Sequence, residues 1–339
     1  MTNMTTAQHT ANPEFFLGID VGKADLFCHL LGPDSTSSKR FDNSDPGVDL
    51  LLEWLSSLAP SELICACLEQ TGPYGHLAAR ALHAHKVGSI HLVNPRQIKA
   101  FGQQKLRRNK SDTADARLIA QFLKSEHTEL RPWTPPCPDQ EAIAELSRYA
   151  DSLTRDTARL KTKCESATLP PVLRSLRRRI KAQQKELDDI RSRINKLIAN
   201  NQSLESEYAL LSSVPGLGET TCHILLAELP PIDLFQDARQ LAAWAGLTPR
   251  HCASGTSGKT RTPITKVGSA HLRRALFMPA MNARVFNPLL KTFAERLIAN
   301  GKKPKQVIIA VMRKLLHQIY GILKSRTPYN PDKRGFQHA

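Results

Sequence analysis

At 339 residues, 41% hydrophobic and 23% charged, the chain has room for two domains, each with its own core. Its 47 Lys and Arg against 31 Asp and Glu leave a formal charge of +16, a surplus that favours a polyanionic partner through phosphate contacts and counterion release. No stretch reaches the roughly 20 apolar residues of a membrane span, residues 1–14 lack the apolar run of a signal peptide, and the seven cysteines show no paired metal-binding spacing. A membrane protein, a disulfide scaffold and a zinc ribbon are therefore set aside for a reduced, cytoplasmic protein.

Residues 1–14 are polar and predict a disordered start. From Phe15 to about 130 the pattern alternates strand and helix. Strands are predicted at 15–20, 25–31, about 38–42, 63–68 and 89–93, and helices at 46–58, 74–86, 95–103 and 111–124. Two closely linked early strands, followed by strands separated by helices, predict an α/β domain with a mixed sheet and helices packed on it. Residues 131–139 hold four prolines, which cannot continue a helix, and form a linker.

Residues 140–205 carry a heptad pattern. Ile143, Leu146, Ala150, Leu153, Thr157, Leu160, Cys164 and Ala167 recur at alternating spacings of three and four. After Pro170 and Pro171 the pattern resumes with Leu173, Leu176, Ile180, Gln183, Leu187, Ile190, Ile194, Leu197, Asn201 and Leu204. This is a coiled-coil register in which Gln183 and Asn201 are polar seam positions. The two helices can fold as an antiparallel hairpin, pair with another subunit, or do both.

Residues 206–325 read as a mainly α C-terminal domain and 326–339 as a loose tail. Val214-Pro215-Gly216-Leu217-Gly218 resembles a helix-hairpin-helix turn, in which Gly216 and Gly218 would let backbone N–H groups approach a phosphate; a plain helical connection explains it equally. Between Asp237 and Glu295 no acid occurs in 57 residues, while Lys259, Arg261, Lys266, Arg273 and Arg274 lie among the cations there. A solvated face normally mixes signs, so this stretch predicts a phosphate-backbone surface. Helices are predicted from near Ser269 and at 288–299 and 303–324.

Four acids carry the chemistry. Asp20 closes the first apolar strand and Glu69 the fourth. Asp112 and Asp115, three apart, share a helix face. Two strand-end acids with a helical pair suit a two-metal phosphodiester site: carboxylate oxygens suit Mg²⁺, and two ions ~4 Å apart can stabilise the attacking and leaving oxygens. Lys105, Arg107, Arg108 and Lys110 beside the helical pair are what a phosphate backbone approaching metal requires. Singly, each acid also fits a solvent-facing strand end or a helix first turn. The turn Gly18-Ile19-Asp20-Val21-Gly22 alone also opens sugar kinases of the actin-like class, but the heptads and the basic segment do not suit a kinase's second half.

Taken together, Gly18-Ile19-Asp20-Val21, Leu68-Glu69-Gln70-Thr71-Gly72-Pro73-Tyr74, Val93-Asn94-Pro95 and Lys110-Ser111-Asp112-Thr113-Ala114-Asp115-Ala116 resemble the bridge-RNA-guided DEDD insertion-sequence recombinases, relatives of the Piv-type DNA invertases. Val214-Pro215-Gly216-Leu217-Gly218, Ala245-Gly246-Leu247-Thr248-Pro249, Ser254-Gly255 and Ile264-Thr265-Lys266-Val267-Gly268 resemble the transposase domain of that family. Ser111 and Gln70 stand where the family more often has threonine and alanine. The resemblance implies a ribonuclease-H-like domain of the Holliday-junction-resolvase (RuvC-like) type, a coiled coil and a C-terminal transposase domain. It implies that Asp20, Glu69, Asp112 and Asp115 hold Mg²⁺, two ions in all, with Mn²⁺ able to substitute. Ser254, with Ser257 as fallback, would attack DNA to give a covalent phosphoserine intermediate. The implied partners are donor and target DNA, a noncoding bridge RNA, and further copies of the chain in a dimer or tetramer. The implied setting is the bacterial cytoplasm. The rival enzyme is a junction endonuclease or invertase that activates water and needs no RNA; the rival outside enzymes is an architectural DNA-binding protein.

Overall fold

The computed structural model describes residues 12–70, 72–105, 112–249 and 263–331. The chain divides into two compact units, residues 1–135 and 136–339, at a point inside the proline-rich linker. Among the described residues no helix is long and apolar enough to cross a membrane.

The N-terminal unit holds β1 (Phe15–Val21), β2 (Asp25–Leu31), β3 (Thr36–Asp42), α1 (Asp45–Ser56), β4 (Ile64–Glu69), α2 (His76–Ala84), β5 (Ser89–Val93), α3 (Pro95–Gln104) and α4 (Asp112–Glu126). Every strand and helix predicted for this unit is present, with ends within about two residues. The sheet order is β3-β2-β1-β4-β5; β1 to β3 are antiparallel, and β4 and β5 run parallel to β1. This is the mixed sheet expected, with helices packed on it.

Alternation along the strands sorts side chains to two faces. Leu17, Ile19, Ile64, Ala66 and Leu68 face Val48, Leu51 and Leu55 of α1 and Ala78, Ala79 and Leu82 of α2. Phe16, Cys65, Cys67 and Val93 face Ile98 of α3 and Leu118, Ile119, Phe122 and Leu123 of α4. Cys65 and Cys67 are thus core residues; burial pushes the Cys65 thiol up to about 11 and Cys67 further.

The second unit is helical: α5 (Pro138–Ser166), α6 (Pro170–Ala199), α7 (Gln202–Ser212), α8 (Glu219–Glu228), α9 (Ala238–Trp244), α10 (Ala270–Ala275), α11 (Phe277–Phe286), α12 (Pro288–Ala299) and α13 (Pro304–Ser325). The heptads form an antiparallel hairpin of α5 and α6, in which Thr157 Oγ1 donates to Gln183 Oε1 (3.0 Å) across the seam. Gln183 is the polar seam position expected. Asn201 is not: α6 ends at Ala199, and Asn201 caps α7, accepting from Leu204 N (3.3 Å) while its amide donates to Asp139 (2.9 Å). A period-matched asparagine at a helix break satisfies an orphan N–H instead of a seam partner. Leu187, Ile190, Ile194 and Ile198 continue directly into the core built on α13 through Val307, Val311, Leu315, Ile319 and Ile322.

Candidate active site

Gly18 positions the acids. It lies on the α4 face of β1 between Phe16 and Asp20, and a Cβ there would meet Ala116 O and Ala120 N of α4 at 2.3 Å each. Only a residue without a side chain lets the helix lie this close to the sheet. Asp20 is two residues on, on the same face, and Asp112 is one helical turn before Ala116. The close approach therefore brings the first turn of α4 to the end of β1. One oxygen from each of Asp20, Asp112 and Asp115 lies within 4.8 Å of the others. Asp20 and Asp115 are half-buried and Asp112 is exposed.

Glu69 ends β4, the parallel neighbour of β1, and alternation from Cys65 and Cys67 carries it to the same face as Asp20. It is adjacent in the sheet but outside the group of three. Binding at the carboxyl ends of parallel strands is the general habit of such sheets.

Three carboxylates so close repel one another by about 1–4 kcal/mol per pair at ~4 Å, depending on the local dielectric. A hard cation offsets that. The donor set is all oxygen, and ligands on opposite sides of one Mg²⁺ stand about 4.2 Å apart, so the group has the right size and chemistry for Mg²⁺ or Mn²⁺. Among the described residues no His or Cys joins it to favour zinc.

Of the expected phosphate-binding cations of this unit, Lys105 alone is among the described residues, and Arg40 stands beside the acids. Lys105 ends α3 with its ammonium 5.5 Å from the Phe101 ring centroid. Arg40 of β3, missed by the sequence reading, donates to Asp25 (2.9 Å) and lies over the Phe27 ring. The hydrogen bond to Asp25, then the Asp25 charge, and more weakly Asp112, hold its guanidinium above the ordinary value. Phe27 is the register partner of Asp20, which puts Arg40 beside the acids. Arg107, Arg108 and Lys110 lie outside the described residues.

In the second unit, Ser254, Ser257, Lys259 and Arg261 also lie outside the described residues. Gly216 has φ +99°, and a Cβ there would meet Ala283 of α11 at 2.9 Å, so packing and backbone conformation both demand glycine. Gly218 caps α8 in open space, but the first turn of α8 carries Glu219, whose carboxylate accepts from Asn195 (2.7 Å). Lys266 is exposed, with φ +55°. Arg273 turns inward, donating to Ala245 O and Gly268 O (3.0 Å each), and Arg274 pairs with Asp151 at 3.1 Å.

One half-buried charge network was not legible in sequence. Glu228 of α8 accepts from Ser269 Oγ (3.0 Å), lies 3.2 Å from His271 Nδ1, and pairs with Arg148 (3.0 Å). Burial would raise its carboxyl, but the His271 hydrogen bond, the Arg148 charge and the Ser269 hydrogen bond outweigh it and hold it down at about 2. Its partners come from α5 and α10, far away in sequence, and tie three helices together.

Comparisons with known proteins reach both units. Residues 17–169 match a family model described as transposase, and residues 208–295 match one described as transposase IS116/IS110/IS902 family. The pilin gene-inverting protein of Moraxella bovis is 30% identical over 323 residues, covering 94% of this chain and 98% of its own length. The transposase for insertion sequence element IS1328 of Yersinia enterocolitica is 25% identical over 309 residues, covering 83% of this chain and 86% of its own. Among solved structures, T. thermophilus RuvC in complex with Holliday junction substrate aligns at 15% identity and a TM-score of 0.28, covering 35% of this chain and 99% of that one.

Proposed function

The chain belongs to the insertion-sequence transposase family of IS110, IS116 and IS902, and within it we propose an RNA-guided DNA recombinase that excises and inserts its element through a metal-assisted serine nucleophile. The observation that carries the metal-dependent part is the convergence of Asp20, Asp112 and Asp115 within 4.8 Å on one sheet face. Glu69, on the neighbouring strand, is the fourth ligand. Mg²⁺ held there would neutralise charge building on the phosphate and favour the ionised form of an attacking hydroxyl.

The remaining roles belong to the chain. Ser254 Oγ attacks phosphorus and gives up its proton; the P–O bond to the departing deoxyribose breaks, and the sugar hydroxyl takes up a proton. The product is a phosphoserine ester, and attack on it by a hydroxyl from another strand restores the serine. Phosphodiester energy is conserved, so rejoining needs no ATP. Lys105, Arg107, Arg108, Lys110, Lys259, Arg261 and Lys266 are proposed to hold backbone phosphates, together with Arg40 at the acids. Gly216 and Gly218 retain the phosphate-binding reading only with Glu219 displaced from the α8 end. Arg273 and Arg274 are proposed to shape the surface by bracing it. A guide RNA is supported by the motif resemblance and by the basic surface, with sequence read by pairing and the protein reading backbone. Assembly into a dimer or tetramer is proposed through the α5–α6 hairpin, whose tip exposes Leu169 and Val172.

A second reading has its own support. The Moraxella bovis relative is named for inverting a gene, so a DNA invertase or junction endonuclease that uses activated water and no guide RNA is the alternative. Strand cleavage separates the readings. Cleavage of element-end DNA that requires Mg²⁺ or Mn²⁺ and the element's RNA, and disappears in Asp112→Asn, supports the recombinase. Full cleavage without RNA moves the function to the alternative, and cleavage by Asp112→Asn removes the metal site altogether.

A further inference from the structure

The distal half of the α5–α6 hairpin carries a charge that no role above uses. Between Arg155 and Lys185 ten Lys and Arg face two acids, Asp156 and Glu165, and from Ser166 to Lys185 no acid occurs. The proximal half is mixed, with Glu186, Asp188 and Asp189 beside Arg191, Arg193 and Lys196. The segregation is spatial as well. At 100° per residue, Arg174, Arg177, Arg178, Lys181 and Lys185 fall within about 60° of one line along α6. The seam residues Leu173, Leu176, Ile180 and Gln183 lie about 90–170° from that line.

All five cations are exposed, as is Arg179. Among the described residues none of the six forms an ion pair, whereas Arg155 and Arg159 on α5 are paired to Asp151 and Asp156. Packing does not explain the stripe either. The core of the unit draws on α6 only from Leu187 onward and on α5 only as far as Leu153. Beyond those points the two helices meet mainly each other, so the outer face of α6 is bare and strongly positive.

We propose that this face is a second DNA-binding surface, holding the phosphate backbone of a duplex by charge alone. The stripe runs over roughly 16 Å of helix, at 1.5 Å per residue. A B-form duplex carries one charge per ~3.4 Å of its axis on each strand, so that length spans about five phosphates of one strand. Five unpaired cations along one helix face match such a row without base contacts, and their repulsion in the free protein is relieved on binding. The surface lies in the second unit and needs none of the metal ligands, so it stands whether serine or water is the nucleophile.

The test uses the full chain in EDTA, which removes catalysis and leaves binding. Affinity for a duplex DNA that outspans the stripe is measured by fluorescence anisotropy across a salt series, for wild type and for the triple variant Arg174→Glu, Arg178→Glu, Lys181→Glu. These positions are exposed, and circular dichroism with mass measurement verifies that fold and assembly are kept. Each phosphate contact contributes about 0.9 to the slope of log affinity against log salt, so the expected slope falls by about 2.7 if all three are engaged. Affinity at low salt falls at least tenfold. An unchanged slope in a folded variant overturns the proposal. So does a slope that falls for duplex RNA but not for duplex DNA, because the surface would then belong to an RNA. If the triple variant fails to assemble, the milder Arg174→Gln, Arg178→Gln, Lys181→Gln is read by the same criteria.

Discussion

Gly18→Ala is expected to impair catalysis far more than it impairs folding. The new methyl would stand 2.3 Å from Ala116 O and Ala120 N, the two ends of one helical hydrogen bond. Ordinary contact lies near ~3.5 Å, so α4 must retreat by about 1 Å or tilt. Overpacking of this kind costs about 1–3 kcal/mol, seen as a lower Tm. The retreat also carries Asp112 and Asp115 away from Asp20, because all three acids take their spacing from this crossing. A displacement of ~1 Å in a reacting geometry costs about 100-fold in rate. The assay is Mg²⁺-dependent strand cleavage well below the variant's Tm, with Tm followed in parallel. A cleavage rate within a few-fold of wild type would refute the reasoning, whatever the Tm does, since it would mean that the crossing does not set the distance between the acids.

Asp20→Asn and Asp112→Asn should each lower cleavage by roughly 10³-fold or more while leaving EDTA-stable DNA binding intact, as read by cleavage and anisotropy together. Glu228 is held at about 2 against an ordinary value of about 4.5. Its contribution is therefore complete above about pH 4.5 and is lost as pH falls toward 2. Denaturant titrations should show up to about 3 kcal/mol disappearing across that window in wild type, and a flatter curve in Glu228→Gln. Arg273→Ala should cost about 1–3 kcal/mol of stability, mainly by stranding the Ala245 carbonyl, with little change in the salt slope of DNA binding; a large slope change with an unchanged Tm would return Arg273 to the phosphate surface.

The first unit was legible because its rules are local. Strand alternation places Asp20 and Glu69 on one face, and a helix start places Asp112 with Asp115. Sequence does not show why Asp20 meets the helical pair. That depends on the absence of a side chain at Gly18 opposite Ala116 and Ala120, a contact between residues about a hundred positions apart. Asn201 fits the heptad period yet caps a helix, because the periodicity runs through the break between α6 and α7. An acid-free run of 57 residues is conspicuous, but it does not reveal that Arg273 and Arg274 fold back onto carbonyls and Asp151. Conversely, the hairpin cations are interleaved with seam residues, and their alignment emerges only when helical angles are assigned. Glu228 gives no local signal, since Arg148, Ser269 and His271 reach it from other helices.

The measurement that bears most directly on the recombinase mechanism is the search for a covalent protein–DNA adduct. The purified chain is incubated with Mg²⁺, the element's RNA and matching DNA, quenched in denaturant, and digested for peptide mass spectrometry. The expected result is DNA joined to the peptide carrying Ser254, with no adduct in Ser254→Ala. Cleaved DNA with no adduct would contradict the serine mechanism and leave Asp20, Glu69, Asp112 and Asp115 activating water.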